Sequence, residues 1–158
     1  MRRPFVAGNW KMNKNLTESK ALANAIVTRV NTLELDNTRV ILSPTFVNLS
    51  EVVKVTEGSA VEVAAQNMHQ AKSGAFTGEI SGEMLTALGL KTVILGHSER
   101  REYFGETDAL LAEKVDAALE NNLEVIFCFG ELLEDRKSGN HFNVVESQIK
   151  NALFHLEA

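Results

Sequence analysis

The sequence contains almost no cysteine and no long hydrophobic run. Cys128 is the single cysteine among 158 residues, so no disulfide can form within the chain and a reducing compartment is expected. No stretch approaches the ~20 apolar residues of a membrane-spanning helix. Met1-Arg2-Arg3-Pro4 leads into Phe5-Val6-Ala7-Gly8 without the ~7–15-residue apolar core of a secretion signal. We therefore expect a soluble, cytoplasmic protein without membrane contact.

Long runs of one charge are absent as well. Lysine and arginine number 16 against 21 aspartate and glutamate, which gives a formal net charge of −5. Binding to nucleic acid or to an anionic membrane requires a basic patch, so we expect neither partner. With 44% hydrophobic residues and no linker-like segment, residues 1–158 predict one domain or part of one.

The glycine motifs that hold nucleotide phosphates are missing. No G-x-G-x-x-G follows the first predicted strand, and no G-x-x-x-x-G-K-[ST] occurs anywhere. These are the best-attested nucleotide cradles, so nucleotide binding is disfavoured. We expect no cofactor and no metal.

Short apolar segments alternate with helical patterns. The strand-like segments run from Phe5 to Gly8, Arg39 to Leu42, Val61 to Ala65, Thr92 to Leu95 and Val125 to Phe129. The helical stripes are Leu22, Ile26, Val30 and Leu33; Leu111, Val115, Ala118 and Leu119; and Val145, Ile149, Ala152, Leu153 and Leu156. Asn15 with Glu18, and Asn143 with Glu146, have the spacing of amino-terminal caps. Repeated βα units predict a parallel sheet, as an open doubly wound sheet or as a (β/α) barrel.

Polar clusters follow three of these strands and favour the barrel. They are Gly8-Asn9-Trp10-Lys11, Gln66-Asn67 and Gly96-His97-Ser98-Glu99. Polar groups from non-adjacent strands suit a barrel mouth, whereas an open sheet concentrates them at one switch point. Taken singly, each has a plainer interpretation: Lys11 as a solvated lysine, His97 as a helix cap, and Cys128 as a small buried hydrophobe.

Five motifs, taken together in order, identify a family. They are Ala7-Gly8-Asn9-Trp10-Lys11-Met12-Asn13, Ala65-Gln66-Asn67, Ser73-Gly74-Ala75-Phe76-Thr77-Gly78-Glu79-Ile80-Ser81, Gly96-His97-Ser98-Glu99-Arg100-Arg101 and Cys128-Phe129-Gly130-Glu131. In this order they closely resemble the triosephosphate isomerase family through essentially the whole chain. The resemblance implies an α/β fold, the (β/α)8 TIM barrel, with residues 1–158 covering about the first five βα units of its single domain.

The resemblance also implies a reaction and a set of roles. The family interconverts dihydroxyacetone phosphate and D-glyceraldehyde 3-phosphate through an enediolate, in glycolysis and gluconeogenesis. By position, Asn9 and Lys11 would bind substrate, with Lys11 also facing the developing oxyanion. His97 would polarise the carbonyl, and Glu99 would hold the network of Lys11 and His97. Thr77 would reach across a homodimer interface.

The sequence departs from the family pattern in two respects. Phe129 stands where a modest aliphatic residue is usual, so we expect an overfilled barrel core there. No segment matches the family's Glu-Pro-Val-Trp type base, its lid or its last phosphate loops, and a whole barrel needs about 250 residues. We therefore expect the chain to be a truncated fragment, inactive alone, with open edges on its first and fifth strands.

The sequence leaves two functions open besides that of an isomerase. The chain is either a catalytic part of an isomerase or a non-catalytic partial barrel that self-associates or binds a complementary fragment. A weaker alternative is an open doubly wound domain that binds a phosphometabolite without chemistry.

Overall fold

The computed structural model describes residues 2–35 and 37–157. Its strands are β1 (Phe5–Asn9), β2 (Arg39–Ser43), β3 (Val61–Ala65), β4 (Thr92–Leu95) and β5 (Glu124–Phe127). Its helices are α1 (Leu16–Val30), α2 (Leu49–Thr56), α3 (Gly82–Ala87), α4 (Ser98–Phe104), α5 (Asp108–Glu120), α6 (Leu133–Lys137) and α7 (His141–Leu153). All five predicted strands are present, although β5 ends two residues before the predicted Phe129.

The strands follow one another in the sheet as they do in the sequence, in the order β1-β2-β3-β4-β5. β1 pairs in parallel with β2, β2 with β3, and β3 with β4. A doubly wound sheet reverses its strand order at a switch point, and this sheet does not. The sequential order confirms the predicted α/β architecture, a partial TIM barrel.

The chain divides into two compact units. Of the described residues, those from 2 to 67 and from 83 to 93 form the first unit, and those from 68 to 82 and from 94 to 157 form the second. β4 contributes Thr92 and Val93 to the first unit and Ile94 and Leu95 to the second.

In the first unit, α1 packs on α2, α2 packs on β3, and β2 lies between β1 and β3. Asn15 caps α1: its side chain accepts from the Glu18 amide, and the Glu18 carboxylate accepts from the Asn15 amide. This confirms the predicted capping box. Ile41 of β2 and Val52 of α2 are fully buried, and each such side chain contributes about 1.5–3 kcal/mol of transfer free energy.

The second unit is organised by α5 and α7. Thr107 caps α5 by accepting from the Leu110 amide, and the buried residues of the predicted stripe are Leu111, Val115 and Ala118. The predicted cap of α7 is wrong, because the helix begins at His141 and Asn143 lies inside it, donating to the side chain of Asn140.

Several residues of the predicted strands and helical stripes are exposed instead, among them Phe5 and Val6 of β1. Leu33 and Leu156 lie beyond the ends of α1 and α7, and Leu119 lies on the outer side of α5. Phe129 follows the end of β5 and its residue is 52% exposed. The prediction that Phe129 overfills a barrel core is therefore wrong for this structure.

Among the described residues, no helix combines the length and the apolar character needed to span a bilayer.

Candidate functional site

In the first unit, the candidate residues Asn9 and Lys11 are held together at the carboxyl end of β1. The side-chain oxygen of Asn9 accepts from the Lys11 amide at 3.0 Å. Lys11 has a φ of 53°, in the left-handed region that costs a side-chain-bearing residue about 1–2 kcal/mol. Such a conformation persists only where the surroundings fix it.

Gln66 supplies the other constraint on Lys11. Its Nε2 donates to the carbonyl of Lys11 at 3.0 Å and to that of Ser43 at 2.8 Å. Ser43 ends β2, and Gln66 directly follows β3. Residues from three strand ends therefore fix the backbone of Lys11. The sequence shows the polar cluster at Gln66, but it does not show that Gln66 binds the backbone of Lys11, which follows another strand.

In the second unit, the candidate residues His97 and Glu99 meet at the start of α4. β4 ends at Leu95, Gly96 turns the chain with a φ of 79°, and His97 is the cap of the helix. The Nδ1 of His97 accepts from the Glu99 amide at 3.3 Å, and the Glu99 carboxylate lies 3.6 Å from the same nitrogen.

This hydrogen bond selects the form of the imidazole. A nitrogen that accepts from a backbone N–H carries no proton, so the neutral ring bears its proton on Nε2. Nε2 is then a neutral hydrogen-bond donor. The interpretation of His97 as a helix cap is thus confirmed.

His97 lies on a cavity of about 690 Å³ formed within the second unit. Its apolar wall includes Phe129, Leu132 and Val144, while His97 and Glu131 contribute polar groups. A concave, mainly apolar surface with a few convergent polar groups is typical of a small-molecule site.

Two titratable side chains on this cavity differ in charge. Burial raises the pKa of the Cys128 thiol, against the attraction of the nearby Arg101 charge, so Cys128 is a neutral thiol and not an activated nucleophile. The pKa of Glu131 is lowered, first by a hydrogen bond with its own backbone and then by Arg136. Glu131 is therefore an ionised carboxylate at neutral pH.

Thr77 lies on an exposed loop of the second unit. Gly74 and Gly78 on either side have φ values of 142° and 92°, which glycine adopts readily. Phe76 is 47% exposed, and its ring is tilted by 37° against that of His69 with centroids 4.3 Å apart. The loop therefore presents an apolar ring beside Thr77.

Across residues 2–35 and 37–157, no group of three or more histidine, cysteine, aspartate or glutamate side chains is arranged to hold a metal ion.

Comparison with known proteins gives a consistent result. A sequence model described as triosephosphate isomerase matches residues 4–158. The triosephosphate isomerase of Flavobacterium johnsoniae is 54% identical over 156 residues, which are 99% of this chain and 62% of that protein. That of Flavobacterium psychrophilum is also 54% identical, over 157 residues with the same coverage. That of Clostridium beijerinckii is 49% identical over 150 residues, covering 95% of this chain and 59% of that protein.

The chain thus spans about 62% of the length of the Flavobacterium relatives. The match begins near the amino terminus, includes every motif quoted above and extends over nearly all of the chain. This chain belongs to the triosephosphate isomerase family.

Proposed function

We propose that this chain supplies the carbonyl-polarising and substrate-binding groups of a triosephosphate isomerase, which interconverts dihydroxyacetone phosphate and D-glyceraldehyde 3-phosphate. The observation that carries the proposal is the hydrogen bond from the Glu99 amide to Nδ1 of His97. It leaves Nε2–H as a hydrogen-bond donor, a kind of group that can stabilise the charge developing on a carbonyl oxygen in an enediolate reaction.

In the proposed reaction, a base removes a proton from C1 of dihydroxyacetone phosphate. The C–H electron pair forms the C1–C2 double bond, and the carbonyl pair moves onto O2. Nε2–H of His97 donates to this oxygen as its charge develops. A donor held in place before the reaction stabilises that charge without reorganisation. The base then returns its proton to C2, and a proton passes from O1 to O2, which gives the aldehyde at C1 and the hydroxyl at C2.

Lys11 and Asn9 bind the substrate in this proposal. An ammonium group can balance the charge of the substrate phosphate. The bonds from Asn9 and Gln66 hold the Lys11 backbone in its left-handed conformation. The cost of ordering the Lys11 backbone is then met during folding and not during binding.

We further propose that a polypeptide of residues 1–158 alone does not isomerise its substrate. None of its glutamates matches the family's base segment. A general base typically accelerates such a step by about 10²–10⁴-fold. A protein that has the electrophile and the phosphate-binding side chains but no base would bind the substrate and would not turn it over.

The complete enzyme is proposed to be a cytoplasmic homodimer with Thr77 at its interface. The exposed Phe76 and the glycine-bounded loop around Thr77 support an interface there. The family's role in glycolysis and gluconeogenesis supports a cytoplasmic location.

A non-catalytic role is the second candidate. In the first unit, β1 leaves Phe5 and Val6 at 47% and 60% exposure. A strand with exposed apolar residues and unpaired backbone groups invites pairing with another chain. On this alternative, the chain self-associates or binds a complementary fragment, with no chemistry of its own.

A chimera separates the two candidates. It joins residues 1–158 to the carboxyl-terminal segment of the Flavobacterium johnsoniae relative that this chain does not match, and is called the completed chimera below. We expect it to be an active isomerase whose kcat falls by about 10²–10³-fold in His97→Gln. His155→Gln, at an exposed histidine paired with Asp116, is the matched control. A folded completed chimera without activity would favour the non-catalytic role.

A further inference from the structure

Arg101 in the second unit makes contacts with three separate segments. Its Nε donates to the Gly96 carbonyl at 2.9 Å, and one terminal nitrogen donates to Asp108 at 2.5 Å. The other terminal nitrogen lies 3.5 Å from the Cys128 carbonyl. These segments are the end of β4, the start of α5 and the end of β5. The guanidinium therefore joins the three elements around the His97 turn.

The junction of β4, β5 and α5 that Arg101 occupies is tightly packed. Leu95 accepts from the Cys128 amide at 2.8 Å, and a Cβ on Gly96 would lie 2.6 Å from the Cys128 carbonyl. Gly96 is buried, so its carbonyl oxygen has little access to water and depends on Arg101 as a donor. A buried acceptor left without a donor is unfavourable, and the backbone would move to find one.

His97 is sensitive to such a movement. It directly follows Gly96, and its Nδ1 accepts a 3.3 Å bond from the Glu99 amide. At that length, a displacement of a few tenths of an ångström breaks the bond. The ring would then be free to place its proton on either nitrogen.

Asp108 fixes the direction of the guanidinium. It is the first residue of α5, where the helix dipole favours a carboxylate. Arg101 and Asp108 are 16% and 21% exposed at their side chains, so the pair is largely shielded from solvent. A planar guanidinium can donate to a carboxylate and a carbonyl in different directions, whereas a lysine ammonium at the same place cannot span both.

We propose that Arg101 is a positioning residue for His97: by holding the Gly96 carbonyl between β4, β5 and Asp108, it keeps the imidazole in the Nε2–H tautomer. The catalytic consequence rests on the proposed isomerase function. The structural claim about the tautomer does not, so the two can fail separately.

Ring ¹⁵N spectra of the completed chimera test the structural claim. The chain has four histidines, and His97 is assigned by the loss of its signals in His97→Gln. We expect a single Nε2–H tautomer in the parent protein and a mixture of both tautomers in Arg101→Met. Arg101→Lys should recover only part of the parent signal. Lys137→Met removes an exposed charge paired with Glu134 and should leave the spectrum unchanged.

Steady-state kinetics test the catalytic consequence. In Arg101→Met, kcat should fall on the order of 10- to 100-fold through misplacement of His97, with KM within about twofold because ground-state binding is retained. A general loss of stability would instead lower the amount of active enzyme and leave the KM and the His97 spectrum of the remainder unchanged.

A single His97 tautomer in folded Arg101→Met, with kcat equal to that of Lys137→Met, would overturn the proposal. If circular dichroism shows Arg101→Met to be unfolded, Asp108→Asn decides the question, since it removes the orienting charge and keeps the guanidinium. An unchanged His97 tautomer in Asp108→Asn would then overturn it. An inactive parent chimera with the expected tautomer change would contradict the proposed function and uphold the role of Arg101.

Discussion

Gln66 and Lys11 are joined by a 3.0 Å hydrogen bond from a side-chain amide to a backbone carbonyl across the ends of two strands. The bond holds Lys11 at a φ of 53°, where isolated lysine residues are rare. The backbone conformation at Lys11 is thus held by a residue 55 positions later in the sequence.

Replacing Gln66 by methionine should therefore weaken catalysis through Lys11. The change preserves side-chain length and removes both donated hydrogen bonds. We expect kcat/KM of the completed chimera to fall at least about tenfold, equivalent to about 1.4 kcal/mol. Asn24→Met, at an exposed position on α1, is the control; equal kcat/KM values in the two variants would contradict the role of Gln66.

Lys11 itself is tested by replacement with methionine. A neutral side chain cannot balance the phosphate, so both substrate affinity and turnover should fall, with kcat/KM lower by about 10² or more. Lys91→Met is a matched control, because Lys91 lies at the amino-terminal end of β4, whereas Lys11 follows the carboxyl end of β1. An unchanged kcat/KM in Lys11→Met would remove Lys11 from the mechanism.

The homodimer assignment is tested at Thr77. Introducing an arginine into a closely packed interface adds volume and an unpaired charge, which together cost several kcal/mol. Sedimentation of the completed chimera should show a dimer that becomes a monomer in Thr77→Arg. Thr28→Arg, on the exposed side of α1, should remain dimeric. A dimer that persists in Thr77→Arg would contradict the interface.

Acid stability should depend on Glu106. Burial alone would raise the pKa of Glu106, but hydrogen bonds and charges from Lys114 and Arg100 outweigh it and lower the pKa. A lowered carboxylate pKa stabilises the fold above the ordinary glutamate pKa of about 4.3. That stability is lost as the pH falls through the lower pKa of the folded state.

Denaturant titrations of Glu106→Gln at several pH values check this dependence. At pH 7, the variant removes the carboxylate that pairs with the buried ammonium of Lys114. This should lower the free energy of unfolding by about 3–5 kcal/mol. The deficit should shrink as the pH drops below about 4.3. A deficit that stays constant from pH 7 to pH 3 would show that the ion pair is not its cause.

Gln148 should control the mobility of the loop after β5. Its side chain accepts from the Gly130 amide at 2.9 Å and donates to the Gly130 carbonyl at 3.0 Å. Gln148→Met should lower the free energy of unfolding by about 1 kcal/mol and speed hydrogen exchange at the Gly130 amide. Gln148→Glu keeps the acceptor, so it should preserve that amide's protection. Equal exchange in both variants would contradict the assignment.

The local structure was predictable where it depends on neighbouring residues. Asn15 and Glu18 form their capping box within one helical turn, and the buried strands are recognisable from their continuous apolar residues. The prediction for the α7 cap was wrong because Asn143 and Glu146 have the spacing of a capping box but lie inside the helix. The preceding turn ends earlier, at Gly139 and Asn140. Spacing alone cannot distinguish a cap from two residues inside a helix.

The tertiary relations of the site were predictable only in part. The sequence indicated that His97 precedes a helix, and the bond to its ring follows from local geometry. The bonds of Gln66 to Lys11, and of Arg101 to Gly96 and Asp108, join side chains to backbone atoms of other segments. No residue pattern reports such pairs, since a carbonyl acceptor is present at every position.

Hydrogen exchange at the substrate carbon tests the central claim most directly. Dihydroxyacetone phosphate is incubated in D2O with the completed chimera or with a polypeptide of residues 1–158, and deuterium at C1 is followed by proton NMR. We predict rapid exchange with the completed chimera and no exchange above the buffer rate with residues 1–158. Comparable exchange with both proteins, or none with a folded completed chimera, would contradict the account.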